Sequence, residues 1–267
     1  MNALTPGLHA QLLKRKVSGK YPPARWRATW LAAVVVMLVV HLLAGAVLAS
    51  GGPYAGKLGF DISYPQCGQT TPSGAFAIVG VNGGRPFTAN SCFGTEFGNS
   101  MGAVGASNVS VYMNLSAPVG KTATQYTSAP QACGPGNKAC EAQNYGWNAA
   151  AYAYQQAIAN GYHSSAGGLA KIWWLDIETA NSWSGRTDVN RGSIQGATNY
   201  LATNGLTVGI YSTPSMWNSI TGTWSNNGQS VWYAGTNSIG CSVSSFTGGS
   251  VWLVQHSSGT TNGDQGC

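Results

Sequence analysis

Short runs rich in β-branched and aromatic residues alternate with long Ala-, Gln- and Asn-rich stretches through most of this chain. No other feature restricts its possible folds as much. Residues 58–62, 76–81, 109–115, 172–177, 206–211, 231–234 and 251–255 read as strands. Residues 144–160, closed by Gly161, and 188–204, closed by Gly205, read as helices ending where glycine supplies a left-handed residue. Two parallel strands cannot be joined by a tight turn. Strand, helix and strand in succession therefore predict a parallel sheet with helical crossovers. From residue 57 onward about 210 residues run without a second break in composition, a length at which a single TIM-type (β/α) barrel closes. The stretch 116–143, with three prolines and two cysteines, reads as an insertion or a long barrel loop. After Tyr211 the connections shorten and become rich in Gly, Ser and Asn, so loops are expected to join the last strands.

The formal net charge of +6 is confined to one end. Lys14, Arg15, Lys16, Lys20, Arg25 and Arg27 precede the first acid, Asp61, and beyond residue 50 seven bases balance seven acids. No basic stripe is left to hold phosphates, which excludes a nucleic-acid partner. Directly after the basic run, Trp30 to Ala49 is long and apolar enough to span a bilayer. The charge asymmetry puts residues 1–29 in the cytoplasm and everything beyond residue 50 outside. Val47-Leu48-Ala49 before Ser50 resembles a signal-peptidase site, so residues 30–49 are expected to be a signal peptide, or a membrane anchor if uncleaved. Residues 50–56 form a linker and 57–267 the barrel domain.

All six cysteines, Cys67, Cys92, Cys133, Cys140, Cys241 and Cys267, follow this segment, in what is then an oxidising space. Disulfides are expected. Proximity favours Cys67 with Cys92, Cys133 with Cys140 and Cys241 with Cys267, although about fifteen pairings are possible. No Cys-x-x-Cys pair is present and His163 and His256 have no partner at ligand spacing, so no metal and no cofactor is expected.

Charged residues make up only 7% of the chain, against roughly a quarter in ordinary domains. Its solubility then rests on Ser, Thr, Asn and Gln, and the position of each acid becomes informative. Asp61 ends the first strand, Asp176 and Glu178 the fourth, and Asp264 follows the last. In a barrel those strand ends converge on one site. Within Lys171-Ile-Trp-Trp-Leu-Asp-Ile-Glu178, strand alternation puts Trp174, Asp176 and Glu178 on one face and Trp173, Leu175 and Ile177 on the other. Two neighbouring carboxyls, partly buried, raise the pKa of one. A protonated carboxyl beside an ionised one is what glycosidic cleavage needs, the first to protonate the leaving oxygen and the second to stabilise or attack the anomeric carbon.

Five segments in order resemble the lysozymes of glycoside hydrolase family 25. Gly59-Phe-Asp-Ile-Ser63 is similar to the opening Gly-[Ile/Val]-Asp-Val-Ser of that family, and Leu175-Asp-Ile-Glu178 to its Leu-Asp-Val-Glu. Gly209-Ile-Tyr-Ser212 resembles its fifth strand and Val231-Trp-Tyr-Ala-Gly235 its Trp-x-Ala strand. Trp252-Leu-Val-Gln-His-Ser257, followed by Asp264, is similar to its Trp-Gln-Tyr-Ser and closing Asp. The resemblance implies a barrel of five β/α units plus three strands that cuts cell-wall polysaccharide, with Glu178 as general acid and Asp176, Asp61 and Asp264 as supporting carboxylates.

The sequence departs from the family at Val111-Tyr-Met-Asn-Leu115, where a Tyr-His pair is usual, and at Tyr64-Pro65-Gln66, which replaces Trp-Gln. Trp174 and Trp183 are the expected sugar contacts. Tyr211 is expected either to orient a carboxylate, to bind an N-acetyl group or to serve as core. His256 is expected to be structural, and Asn82-Gly-Gly-Arg85 a simple glycine turn. A chitinase-like glycosidase and a catalytically silent glycan-binding barrel are the alternatives.

Overall fold

The computed structural model describes residues 51–225, 228–235, 239–258 and 261–267. The basic run and the apolar segment 30–49 lie outside the described residues. Among the described residues no helix is long and apolar enough to cross a membrane.

Eight strands close into a barrel in sequence order: β1 (Leu58–Ile62), β2 (Ala77–Gly80), β3 (Val109–Asn114), β4 (Ile172–Asp176), β5 (Thr207–Ser212), β6 (Ser230–Tyr233), β7 (Val251–Ser258) and β8 (Thr261–Gly266). Neighbours from β1 to β7 pair in parallel, whereas β8 runs antiparallel to both β7 and β1 and joins them. Helices α1 (Phe93–Val104), α2 (Lys138–Ala159), α3 (Thr187–Thr203) and α4 (Pro214–Thr221) fill the connections from β2 to β6. The first connection carries a short 3₁₀ turn, Tyr64–Gln66, instead of an α-helix.

Alternation along the strands builds two cores. Outward-facing Phe60, Val79, Val111, Trp173, Leu175 and Ile210 pack beneath the helices. Inward-facing Ile78, Trp174, Trp232 and Leu253 fill the barrel, and Tyr54 plugs its base, donating to Ser110 Oγ at 2.9 Å and accepting from Trp174 Nε1 at 3.1 Å. Behind β4, helices α2 and α3 meet backbone to backbone. A Cβ on Gly146 would lie 1.9 Å from the Ser193 carbonyl oxygen, and one on Gly196 1.9 Å from that of Gln143. Glycine is the residue that permits this approach.

Three disulfides form, Cys67–Cys92, Cys133–Cys140 and Cys241–Cys267, with Cα separations of 5.7, 5.7 and 5.5 Å. These are the pairs that proximity favoured, and they fit an oxidising compartment. The first ties the β1–β2 loop to α1, and the third ties the end of β8 to the loop before β7.

One boundary is corrected and three elements are added. Helix α2 starts at Lys138, so residues 138–143 are helix and not loop; Asn137 caps it by accepting from the Cys140 amide at 3.1 Å. Helices α1 and α4 and strand β8 are additions. Gly94, Gly98 and Gly102 weaken the helical signal of α1, which packing of Phe93 and Phe97 overrides. The sequence of β8, Thr-Asn-Gly-Asp-Gln-Gly, looks like a turn but is held extended by pairing on both sides.

Candidate active site

At the C-terminal ends of the parallel strands the inward-facing side chains become polar. Asp61 of β1, Tyr112 of β3, Asp176 of β4, Glu178 just beyond it, Tyr211 of β5, Trp232 of β6, Gln255 of β7 and Asn262 of β8 line a cleft of about 150 Å³. Asp264 lies beneath it, 1% exposed, accepting from Trp232 Nε1 at 2.8 Å. Residues up to 203 positions apart meet here because each strand contributes its last inward positions.

Amide side chains hold the acids in place. Asp61, 7% exposed, accepts from Gln255 Nε2 at 2.8 Å and from Asn262 Nδ2 at 3.2 Å. Gln255 is oriented in turn by the Tyr211 hydroxyl, which donates to its Oε1 at 2.7 Å. Asp176, 5% exposed, accepts from Asn114 Nδ2. Asn114 is fixed by Asn82, whose side chain donates to the Asn114 carbonyl at 2.9 Å and accepts from its amide at 3.1 Å.

No cation compensates these acids: the ion pairs among the described residues, Lys138–Glu141 and Arg186–Asp188, are on the surface. Burial therefore dominates their protonation, since the charged form loses water and gains no counter-charge. It pushes Asp61 up to about 6, and Glu178 above the ordinary carboxyl range. Asp176 and Asp264 rise well above that range, each pushed further by a neighbouring acid, Glu178 and Asp61 respectively. Asp176 Oδ1 and Asp264 Oδ2 meet no N–H or O–H donor. The charge of Glu178 opposes ionisation of Asp176, and that of Asp61 opposes ionisation of Asp264, so two charges in either pair are disfavoured. The site is thus two acid pairs in which burial and like charge favour a protonated member. Asp176, the more buried member of its pair, holds the resting proton more firmly than Glu178.

The structure brings Asp61, Asp176, Glu178 and Tyr211 together in the cleft, with Asp264 under Asp61. Two expected sugar contacts fall elsewhere. Trp174 is on the same strand face as Asp176, but one inward position lower, where it is 0% exposed and packed against Trp232 and Tyr54. It fills the barrel and offers no surface to a sugar. Trp183 is half-buried outside the cleft and donates from Nε1 to the Glu178 carbonyl at 2.7 Å, anchoring the loop that carries Glu178. His256 faces outward, in contact with Gln265 at 3.4 Å. Sequence reasoning missed Tyr112, Asn114, Trp232, Gln255 and Asn262. The parity that placed Asp176 with Trp174 on one face would have found Tyr112 and Asn114 on β3. It would not have found Asn262, because β8 was not recognised as a strand.

Residues 141–247 match the family model described as lysozyme-like protein 1. No curated protein matches the chain. Among solved structures, the muramidase from Acremonium alcalophilum is similar at a TM-score of 0.52 and 15% identity, over 79% of this chain and 93% of its own. The bacterial lysozyme from Streptomyces coelicolor is similar at 0.49 and 15% identity, over 82% and 93%. A family GH25 lysozyme from Aspergillus fumigatus follows at 0.47 and 14% identity, over 79% and 94%. At 15% identity the likeness to the Acremonium alcalophilum muramidase supports the barrel fold alone.

Proposed function

We propose that the protein is a cell-wall glycan hydrolase of the lysozyme (muramidase) type that cleaves β-1,4 glycosidic bonds in peptidoglycan. The observation that carries this reading is the cluster of four carboxyl groups, without a cation, at the mouth of a closed barrel. Burial in such a cluster favours protonated carboxyls, one of which can release its proton to a leaving group. Glu178 is the half-buried member facing the open cleft, so it is the acid that delivers a proton to the glycosidic oxygen. Asp61, fixed by two amide donors, supplies negative charge to the cation that develops at the anomeric carbon. Asp264, buried beneath it and favouring its protonated form, leaves that charge to Asp61. The lysozyme-like family match, over residues 141–247, supports the lysozyme-type reading.

The three disulfides support action outside the cytoplasm, and residues 30–49 either tether the barrel to the outer face of the membrane or are removed on export. The test is incubation of the purified protein with peptidoglycan and with chitin, with released fragments read by mass spectrometry. Glu178→Gln keeps the shape of the acid without its transferable proton, so turnover falls by ~10²–10⁴ while binding persists. Parent-like turnover in this variant would remove Glu178 from the role. A parent that binds glycan yet releases no fragment would make the barrel a binding module.

A further inference from the structure

Residues 51–267 carry seven bases. Lys138 and Arg186 are in surface ion pairs, and Arg191 donates to the Thr221 and Gly222 carbonyls and lies over Trp224. Arg85 and Lys121 have neither kind of arrangement. Instead both line one concavity of about 270 Å³, together with Ser116, Thr122, Tyr145 and Asn181, and no acid lines it.

The two cations arrive from loops on the mouth side of the barrel, Arg85 after β2 and Lys121 after β3. Those loops are clamped together. Phe87 and Tyr126 stack at 3.9 Å with their planes 14° apart, and Phe87 also meets Tyr145 edge-on at 5.2 Å. Phe87 and Tyr126 each hold φ at 59°, a left-handed conformation that bulky residues avoid. Such strain costs about 1–3 kcal/mol per residue and persists where surrounding contacts over-determine it. Here the contacts fix the loops so that Arg85 and Lys121 face one pocket.

That pocket adjoins the catalytic cleft. Ala180, on its wall, follows Glu178 by two positions, and Asn181 Nδ2 reaches the Asp176 carbonyl at 3.4 Å. The segment from Glu178 to Asn181 thus borders both the cleft and the pocket.

The geometry points to a carboxylate subsite, in which Arg85 and Lys121 bind an acidic group carried by the glycan, either on the sugar itself or on an attached peptide. This rests on the glycan-hydrolase reading and names its substrate class as acidic glycan. A cleft lined with carboxyls repels an acidic polymer; two adjacent cations offset that repulsion, and a guanidinium can grip a carboxylate through two parallel N–H donors. The subsite thereby selects acidic glycan over neutral chitin.

The test compares the full-length parent with the double variant Arg85→Gln/Lys121→Gln, two exposed positions whose replacement leaves the core intact. Equilibrium binding of soluble peptidoglycan fragments is expected to weaken roughly tenfold in the variant, with KM rising in parallel and kcat within about twofold. Fragments whose carboxylates have been converted to amides bind parent and variant alike, as do neutral chitin oligosaccharides. Peptide-stripped glycan distinguishes the two sources of the acid. A defect that persists on it places the carboxylate on the sugar, and a defect that vanishes places it on the peptide. Equal binding of native fragments by parent and variant, or an equal loss on native and amidated fragments, overturns the subsite. Failure of the parent to cleave any glycan counts against the hydrolase reading alone, because the binding comparison still decides the subsite.

Discussion

Alanine in place of glycine inside a helix ordinarily stabilises a protein by about 1 kcal/mol, because glycine loses more backbone freedom on folding. This protein should show that substitution with both signs. On α1, a Cβ at Gly98 or Gly102 meets nothing within 4 Å, so Gly98→Ala is expected to stabilise by roughly 0.5–1 kcal/mol. On α3, a Cβ at Gly196 lies 1.9 Å from the Gln143 carbonyl oxygen of α2, and neither backbone can rotate away as a side chain would. The helices must part by about 1 Å to restore an ordinary contact of 3.0 Å or more, and the gap opens along the row that also holds Gly146 and Gly192. Overpacking of this kind costs typically ~1–3 kcal/mol and more when backbone must move. Net of the propensity gain, Gly196→Ala should lose about 1–3 kcal/mol, a fall in Tm of roughly 3–10 °C for a domain this size. Gly98→Ala should rise by about 1–4 °C on the same scale. Thermal unfolding with disulfides intact, followed by tryptophan fluorescence, reads both. A Gly196→Ala protein melting at or above the parent would refute the backbone contact between α2 and α3.

Asp61 gives a pH-dependent prediction. Burial raises its pKa from 3.8 to about 6, so between those values the folded protein keeps a proton that the unfolded chain has lost. Its contribution to stability is therefore greatest below pH 4 and declines as pH rises through about 6. Urea midpoints at pH 4 and pH 8 should show a smaller loss for Asp61→Asn than for the parent, and equal losses would contradict the assignment. Tyr211→Phe removes the donor to Gln255 Oε1 and frees the amide that holds Asp61. Stability should fall by about 1–3 kcal/mol for the orphaned amide oxygen, and steady-state kinetics should show kcat reduced roughly tenfold with KM little changed. Replacing Cys241 and Cys267 by Ser opens a link across 26 residues that pins β8. A loss of roughly 2–4 kcal/mol in denaturant titration is expected, and an unchanged midpoint would count against that bond.

What the sequence by itself determined is the periodic part of the protein. Runs of β-branched and aromatic residues were enough for β1 to β7, and alternation for the shared face of Trp174, Asp176 and Glu178. Helices α2 and α3 announced themselves through alanine content and a terminal glycine, and the cysteine pairs through proximity. Only the tertiary structure decided depth. Trp174 and Asp176 have the same parity, yet one inward position separates a barrel-filling indole from a cleft carboxyl, because height in a barrel depends on strand tilt and register between neighbours. The same holds for β8. Its composition argues for a turn, and only the open edges of β7 and β1 make it a strand that delivers Asn262 and Asp264 to the site. The division of protons between Asp176 and Glu178 was likewise beyond the sequence, since both are carboxyls and burial alone separates them.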